Sequence, residues 1–284
     1  NAILFLAAII LVCCSKTDNP GGEPEVGTTE QERLLLKANK FVYDYTKEAY
    51  LWNEDIPGNI TYVSAANPVD LFEMMRNKEL DKWSYVTDKS KEAMESFQGV
   101  STTFGYSLAF GRFSNDPDTY FAVVQYVYPN SPAQKAGLKR GDFLLTLNGG
   151  KLNKTNYKQL YYGSSISVGT GALNSEGAVA SSGKTVSMTA VKMYEDPVVH
   201  YSVISTAGKK VGYLFYAGFY AESHSKLADV FSYFQGEQVT DLILDLRYNL
   251  GGDAKTPSYL ASLFAPYNIV KEKSVFLTQT WNDL

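Results

Sequence analysis

One stretch of this chain, Pro129 to Gly149, leaves the backbone few choices. Pro129-Asn130-Ser131-Pro132-Ala133 sets a helix start, with Ser131 as N-cap. Gly137 ends that helix after one or two turns, because a glycine takes the left-handed C-terminal position at no steric cost. Gly141-Asp142 then leads into the apolar run Phe143-Leu144-Leu145-Thr146-Leu147, which has the length of a core strand. Asn148-Gly149 closes it with a dipeptide suited to a tight hairpin turn. Helix, turn, strand and turn therefore succeed one another at compatible spacing.

The surroundings of this stretch, from about residue 100 to 193, read as strands and turns. Phe104 to Leu108 opens one strand and Tyr120 to Val127 forms another. Residues 163–183 are rich in Gly, Ser and Ala without a period, and are expected to form an exposed insertion ahead of a last strand at 184–193. The succession "PNSPAQKAGLKRGDFLLTLNG" closely resembles a PDZ domain. That resemblance implies binding of extended peptides by strand addition, with backbone N–H groups capturing the terminal carboxylate. By similarity the carboxylate loop falls on Phe104, Gly105, Tyr106, Ser107 and Leu108. Gly105 would allow close backbone approach, with Tyr106 and Leu108 lining the side-chain pocket.

The N-terminal part has a different character. Ala2 to Val12 is an uninterrupted apolar run, short for a bilayer-spanning helix and suited to a signal-peptide core. Leu11-Val12-Cys13-Cys14 followed by Ser15-Lys16 resembles a bacterial lipoprotein cleavage site, with Cys14 as the lipidated N-terminus. Residues 15–29, with Pro20-Gly21-Gly22, read as a flexible tether. Thr29 to Glu32 forms a capping box, and apolar residues then recur at helical spacing from Leu34 to Trp52. A second helix is expected from Asn67-Pro68, carrying Val69, Leu71, Phe72 and Met75 inward, and a third over about 88–97. Met74, Met75 and Trp83 are expected to be packing residues.

Beyond Pro197, His200–Ile204 and Val211–Phe215 suggest strands joined at Ala207-Gly208-Lys209-Lys210. A helical pattern over 222–234 precedes an apolar strand, 239–246, and a further helix is expected over about 257–264. Strand, helix, strand, helix is an α/β order. The strand ends in Asp245-Leu246-Arg247-Tyr248-Asn249-Leu250-Gly251-Gly252, and a paired glycine there can present bare N–H groups to a ligand. Asp245 and Arg247 are expected to form an ion pair anchoring the strand end, and His200 and His224 to be structural.

Taken in order, an exported N-terminus, a helical domain, a PDZ domain and "LILDLRYNLGGD" resemble the serine-class C-terminal processing peptidases, also called tail-specific proteases. "YLWNEDIP" and "DKWSYV" are similar to members found as bacterial lipoproteins. The resemblance implies that Gly251 or Gly252 contributes to an oxyanion hole, although Leu250 stands where the family often has proline. It also implies a serine nucleophile activated by a lysine, in a small-residue turn that these 284 residues do not show. The chain is expected to stop before that dyad. The implied organisation is multidomain α+β: signal 1–14, tether 15–29, helical domain 30–98, PDZ domain 99–196, and the first part of an α/β catalytic domain over 197–284.

Composition narrows the alternatives. A net charge of −4 without a basic stripe argues against nucleic acid as partner. Two separated histidines and no cysteine beyond Cys14 leave no metal-ligand cluster, so neither metal nor cofactor is expected. The expected partners are polypeptides with free C-termini and, through the lipid on Cys14, a bacterial membrane facing the periplasm or cell exterior. The rival expectation is a non-catalytic PDZ lipoprotein that binds peptides as an adaptor.

Overall fold

The structure, a computed structural model, describes residues 29–282. The signal-like segment with Cys14, and the tether up to residue 28, lie outside the described residues. Among the described residues no helix is long and apolar enough to cross a membrane. The chain is a multidomain mixture of helix and sheet, and its described residues divide into two compact units: residues 29–93 with 266–282, and residues 94–265.

In the first unit α1 (Glu30–Ala49) opens on the expected capping box. The Thr29 hydroxyl accepts from the Glu32 N–H at 3.2 Å, and the Glu32 carboxylate accepts from the Thr29 N–H at 2.9 Å. Two otherwise orphaned donors are thereby satisfied. The helix buries Asn39, Val42 and Thr46, while Phe41 and Tyr45 stack on each other outside. α2 (Pro68–Met75) is capped by Asn67 and buries Leu71, Phe72 and Met75. Val69, expected inward, is exposed; it lies nearer the helix start than the buried stripe.

Met74 and Trp83 also depart from expectation, since both are exposed, Trp83 at 76%. The reason for Trp83 is local. The Asp81 carboxylate accepts the N–H groups of Trp83 and Ser84 at 3.0 and 2.9 Å, so the segment uses the tryptophan's backbone and leaves its ring at solvent. Burial would raise the Asp81 pKa, but those donors and the Tyr50 hydroxyl at 2.9 Å outweigh it and hold it below the usual carboxylate range. Tyr50 and Asp81 thus join "YLWNEDIP" to "DKWSYV". α8 (Tyr267–Lys271) belongs to this unit, where Asn282 donates to the Glu48 carbonyl at 2.6 Å.

α3 (Ser90–Phe97) runs across the division of the two units. In the second unit β1 (Val100–Thr103) pairs antiparallel with β8 (Val191–Tyr194). The larger sheet comprises β2 (Tyr106–Phe113), β3 (Asp116–Val127), β4 (Phe143–Leu147), β6 (Ser165–Leu173) and β7 (Val179–Thr189), hydrogen-bonded in that order, with β5 (Gly150–Lys151) beside β4. α4 (Pro132–Lys135) has Ser131 as its cap, as expected. With α5 (Gln159–Tyr162) it covers a core of Phe104, Leu108, Val124, Leu144, Leu152, Leu160 and Val168.

The expected loop over 163–183 is instead most of a β6–β7 hairpin, turned at Asn174–Ala178. Small residues are needed there because neighbouring side chains lie across the backbone. A Cβ on Gly169 would fall 2.3 Å from the Thr146 hydroxyl oxygen. The strand is held by its ladder, not by its own propensity.

The last part of this unit is the expected α/β arrangement. β9 (Val198–Thr206) and β10 (Lys209–Tyr216) form an antiparallel pair. α6 (His224–Gly236) crosses over to β11 (Asp241–Asp245), which lies parallel to β10. α7 (Lys255–Phe264) follows. Leu214, Tyr216, Leu227, Val230, Phe234 and Leu260 form the core between strands and helices.

Candidate functional site

The candidate residues expected from sequence lie at two places in the second unit. The first is the turn after β11. The Asp245 carboxylate is buried and receives Arg247 twice, at 2.9 and 2.6 Å, and the Tyr213 hydroxyl at 2.7 Å. The Arg247 hydrogen bonds lead in holding the Asp245 carboxyl far below the usual range. This is the anticipated ion pair; it fixes the end of the strand.

From there Asn249 organises the glycines. Its side-chain oxygen accepts the Gly251 N–H at 2.8 Å, and its amide donates to the Tyr216 carbonyl at 3.2 Å. The Gly251 carbonyl accepts the Phe219 N–H at 2.8 Å, and the Asp253 N–H returns to the Phe219 carbonyl at 2.7 Å. These bonds flank Gly252, whose own N–H has no acceptor among the described residues. Gly251 and Gly252 have φ of 104° and 138°, and a Cβ on Gly252 would fall 2.1 Å from the Phe219 oxygen. Only glycine fits at position 252. Of the two candidates, then, one N–H is spent on Asn249 and the other is open.

Asp253 accepts the N–H and hydroxyl of Thr256 at 3.0 and 2.8 Å, and the Thr256 hydroxyl also meets His224 at 2.8 Å. His224 stacks on Tyr259 with ring centres 4.3 Å apart. It ties α6 to α7, in keeping with the structural role expected.

Residues outside the motif complete the turn, and sequence reading passed over them. Tyr248 packs against Tyr126 and Phe215, each at 5.7 Å. The Arg140 guanidinium sits 5.3 Å from the Tyr248 ring, donates to its hydroxyl at 3.1 Å, and donates to the Gln125 carbonyl at 2.6 Å. Arg140 comes from the "LKRGD" turn of the larger sheet, so one cation joins that turn to the glycine element. No spacing in the sequence signals a contact over 108 positions.

The second place is the edge of the larger sheet. Phe104, Tyr106 and Leu108 are buried in its core, and the Ser107 hydroxyl donates to Gln125 at 2.8 Å. Gly105 has φ of 78°, and its N–H donates to the Thr103 hydroxyl at 3.0 Å. β2 is an edge strand of this sheet, and α5 runs alongside it. The Tyr106 hydroxyl donates to the Leu160 carbonyl at 2.7 Å, binding strand to helix.

Tyr161, unnoticed in the sequence, occupies that edge. Its hydroxyl accepts the Leu108 N–H at 2.9 Å and donates to the Leu108 carbonyl at 3.3 Å. A single side chain thereby satisfies the two groups that an added strand would use. Burial pushes the Tyr161 phenol above its usual pKa, so it is a neutral hydroxyl at physiological pH.

Comparison with known proteins bears on both places. Residues 37–85 match the peptidase S41 N-terminal domain, residues 123–162 a PDZ domain, and residues 210–275 peptidase family S41. The chloroplastic carboxyl-terminal-processing peptidase 2 of Arabidopsis thaliana is 23% identical over 273 residues, covering 88% of this chain and 51% of that protein. The crystal structure of a putative S41 protease from Bacteroides fragilis NCTC 9343 is similar at a TM-score of 0.61 and 25% identity, over 80% of this chain and 59% of that one. The photosystem II D1 C-terminal processing protease aligns at 20% identity and a TM-score of 0.40, over 82% of this chain and 65% of its own. The chain spans about half the length of the curated relative it matches.

Proposed function

The chain belongs to peptidase family S41 and carries a PDZ domain, and from that premise we propose that it contributes the substrate-binding and oxyanion elements of a serine-type C-terminal processing peptidase. The observation that carries this reading is the open N–H of Gly252, held in a turn by Asn249, Phe219 and Asp253. A donor held in place by its neighbours' hydrogen bonds costs little reorganisation when an acyl-transfer intermediate develops negative charge, and such a donor is typically worth about 3–4 kcal/mol of barrier. Gly252, not Gly251, is the donor in this proposal, since the Gly251 N–H is already bonded.

The PDZ segment around Phe104 to Leu108 would hold the C-terminus of a polypeptide, adding it as a strand beside β2. The Ser–Lys pair that the family resemblance implies matches no segment of these residues. It belongs in this proposal to the remainder of a full-length peptidase. The proposal also includes export and a lipid on Cys14, which would hold the protein on a bacterial membrane.

The test is hydrolysis of an unstructured polypeptide by the product of the full reading frame, together with labelling by a fluorophosphonate probe. Both are expected. Absence of both, with peptide still bound, would replace the peptidase by the non-catalytic PDZ adaptor. Palmitate labelling that disappears in Cys14→Ala tests the anchor separately.

A further inference from the structure

We propose that a basic, aromatic pocket at the far end of β2 selects polypeptides carrying acidic residues a few positions before the C-terminus. This rests on the reading of the β2 edge as the peptide site. The pocket has a volume of about 580 Å³. Its floor is Phe110, Tyr120 and Tyr157, and Arg112, Lys154 and Lys158 stand around it. The Arg112 guanidinium lies 4.9 Å from the Tyr120 ring centre, and Phe110 meets Tyr157 edge-on at 5.3 Å.

The three cations are what mark the pocket. None of them forms an ion pair with a carboxylate among the described residues, whereas nearby Lys151 is paired with Asp116 at 2.9 Å. Three unpaired like charges around one depression raise the local potential, and an anion entering it is attracted by all three. Exposed lysines are commonly only solvated. Here they converge on a concave aromatic floor, which can cover the methylene groups of a glutamate while its carboxylate meets the guanidinium.

Position along the strand sets the preference. A peptide antiparallel to β2, with its carboxylate at Gly105, advances about 3.3 Å per residue. Residues roughly four to six before its terminus therefore come level with Phe110 to Arg112. Two or three such weak, solvent-exposed attractions together are expected to give about a three- to tenfold preference at low salt.

The experiment is a fluorescence-anisotropy titration of the whole chain with three fluorescein-labelled decapeptides. They share an apolar C-terminal tripeptide with a free carboxylate and differ only in carrying Glu, Gln or Lys at the fourth to sixth positions from the end. The Glu peptide is expected to bind about three- to tenfold more tightly than the Gln peptide, and the Lys peptide more weakly than either. The order should collapse at 0.5 M salt and in the double variant Arg112→Gln, Lys154→Gln, with the Gln peptide unaffected by the substitutions. Equal affinity for Glu and Gln peptides overturns the acidic preference and leaves the peptide site standing. Failure of all three peptides to bind, on the native chain and on Tyr161→Phe alike, overturns the peptide site and the preference with it.

Discussion

Removing one oxygen atom from Tyr161 should make the β2 edge easier to occupy and the fold slightly weaker. In the free chain that hydroxyl accepts the Leu108 N–H at 2.9 Å and donates to the Leu108 carbonyl at 3.3 Å. A strand laid beside β2 needs the same two groups, so it must first displace the hydroxyl. Each such bond is worth about 0.5–1.5 kcal/mol net, and the longer one belongs at the low end. Tyr161→Phe therefore forfeits about 1–2 kcal/mol of stability, read by urea unfolding. The ring contacts with Tyr106 and Phe110, both at 6.2 Å, persist in phenylalanine and limit any further loss. The same free energy no longer opposes an added strand, so peptide affinity should rise about five- to thirtyfold in an anisotropy titration. Opposite signs on stability and affinity are the signature. If affinity falls, or if stability drops with affinity unchanged, Tyr161 is a packing residue and does not compete with the ligand.

Other perturbations test the glycine turn and its supports. Asp245→Asn leaves Arg247 and Tyr213 without their charged acceptor and should cost about 2–3 kcal/mol in urea unfolding. Because the Asp245 pKa is depressed, its contribution is present above the ordinary value of 3.8 and is lost as pH falls below it; the variant should lack that acid-side loss. Glu195 has the opposite sign: burial raises its pKa, so the native state binds more protons just above 4.5 and stability falls as pH rises there. Glu195→Gln should flatten that decline and be the more stable protein at pH 7, and a steeper decline would contradict the assignment. Arg140→Ala removes a cation–π contact and two hydrogen bonds. It should cost about 1–2 kcal/mol and speed amide exchange across residues 246–252, whereas unchanged exchange there would separate Arg140 from the glycine turn.

What could be read locally in this sequence was what physics decides locally. The Thr29 capping box, the Ser131 cap, the apolar run of β4 and the strand–helix–strand order around α6 all rest on interactions within a few residues, and each formed where its signal lay. The same holds for the Asp245–Arg247 pair, two positions apart. Gly251 and Gly252 were legible as a pair, but not as a spent donor and an open one. That distinction depends on Phe219 and Tyr216, which reach the turn only because β10 lies beside β11.

Failures of local reading share one cause. The β6–β7 hairpin has weak strand propensity of its own and exists through its ladder and the side chains of β4 that cover its glycines. Trp83 faces solvent because Asp81 claims its backbone, and burial there follows the carboxylate and not the ring. Tyr161 is one aromatic among many in the sequence; it becomes the occupant of an edge only when α5 is set against β2. The sequence by itself determined where the capped helices begin and where the apolar strands run, and it singled out Gly251 and Gly252 as a pair. Tertiary structure alone decided which N–H stays free, which strand edge is filled and which cations remain unpaired, because each depends on partners tens of residues distant.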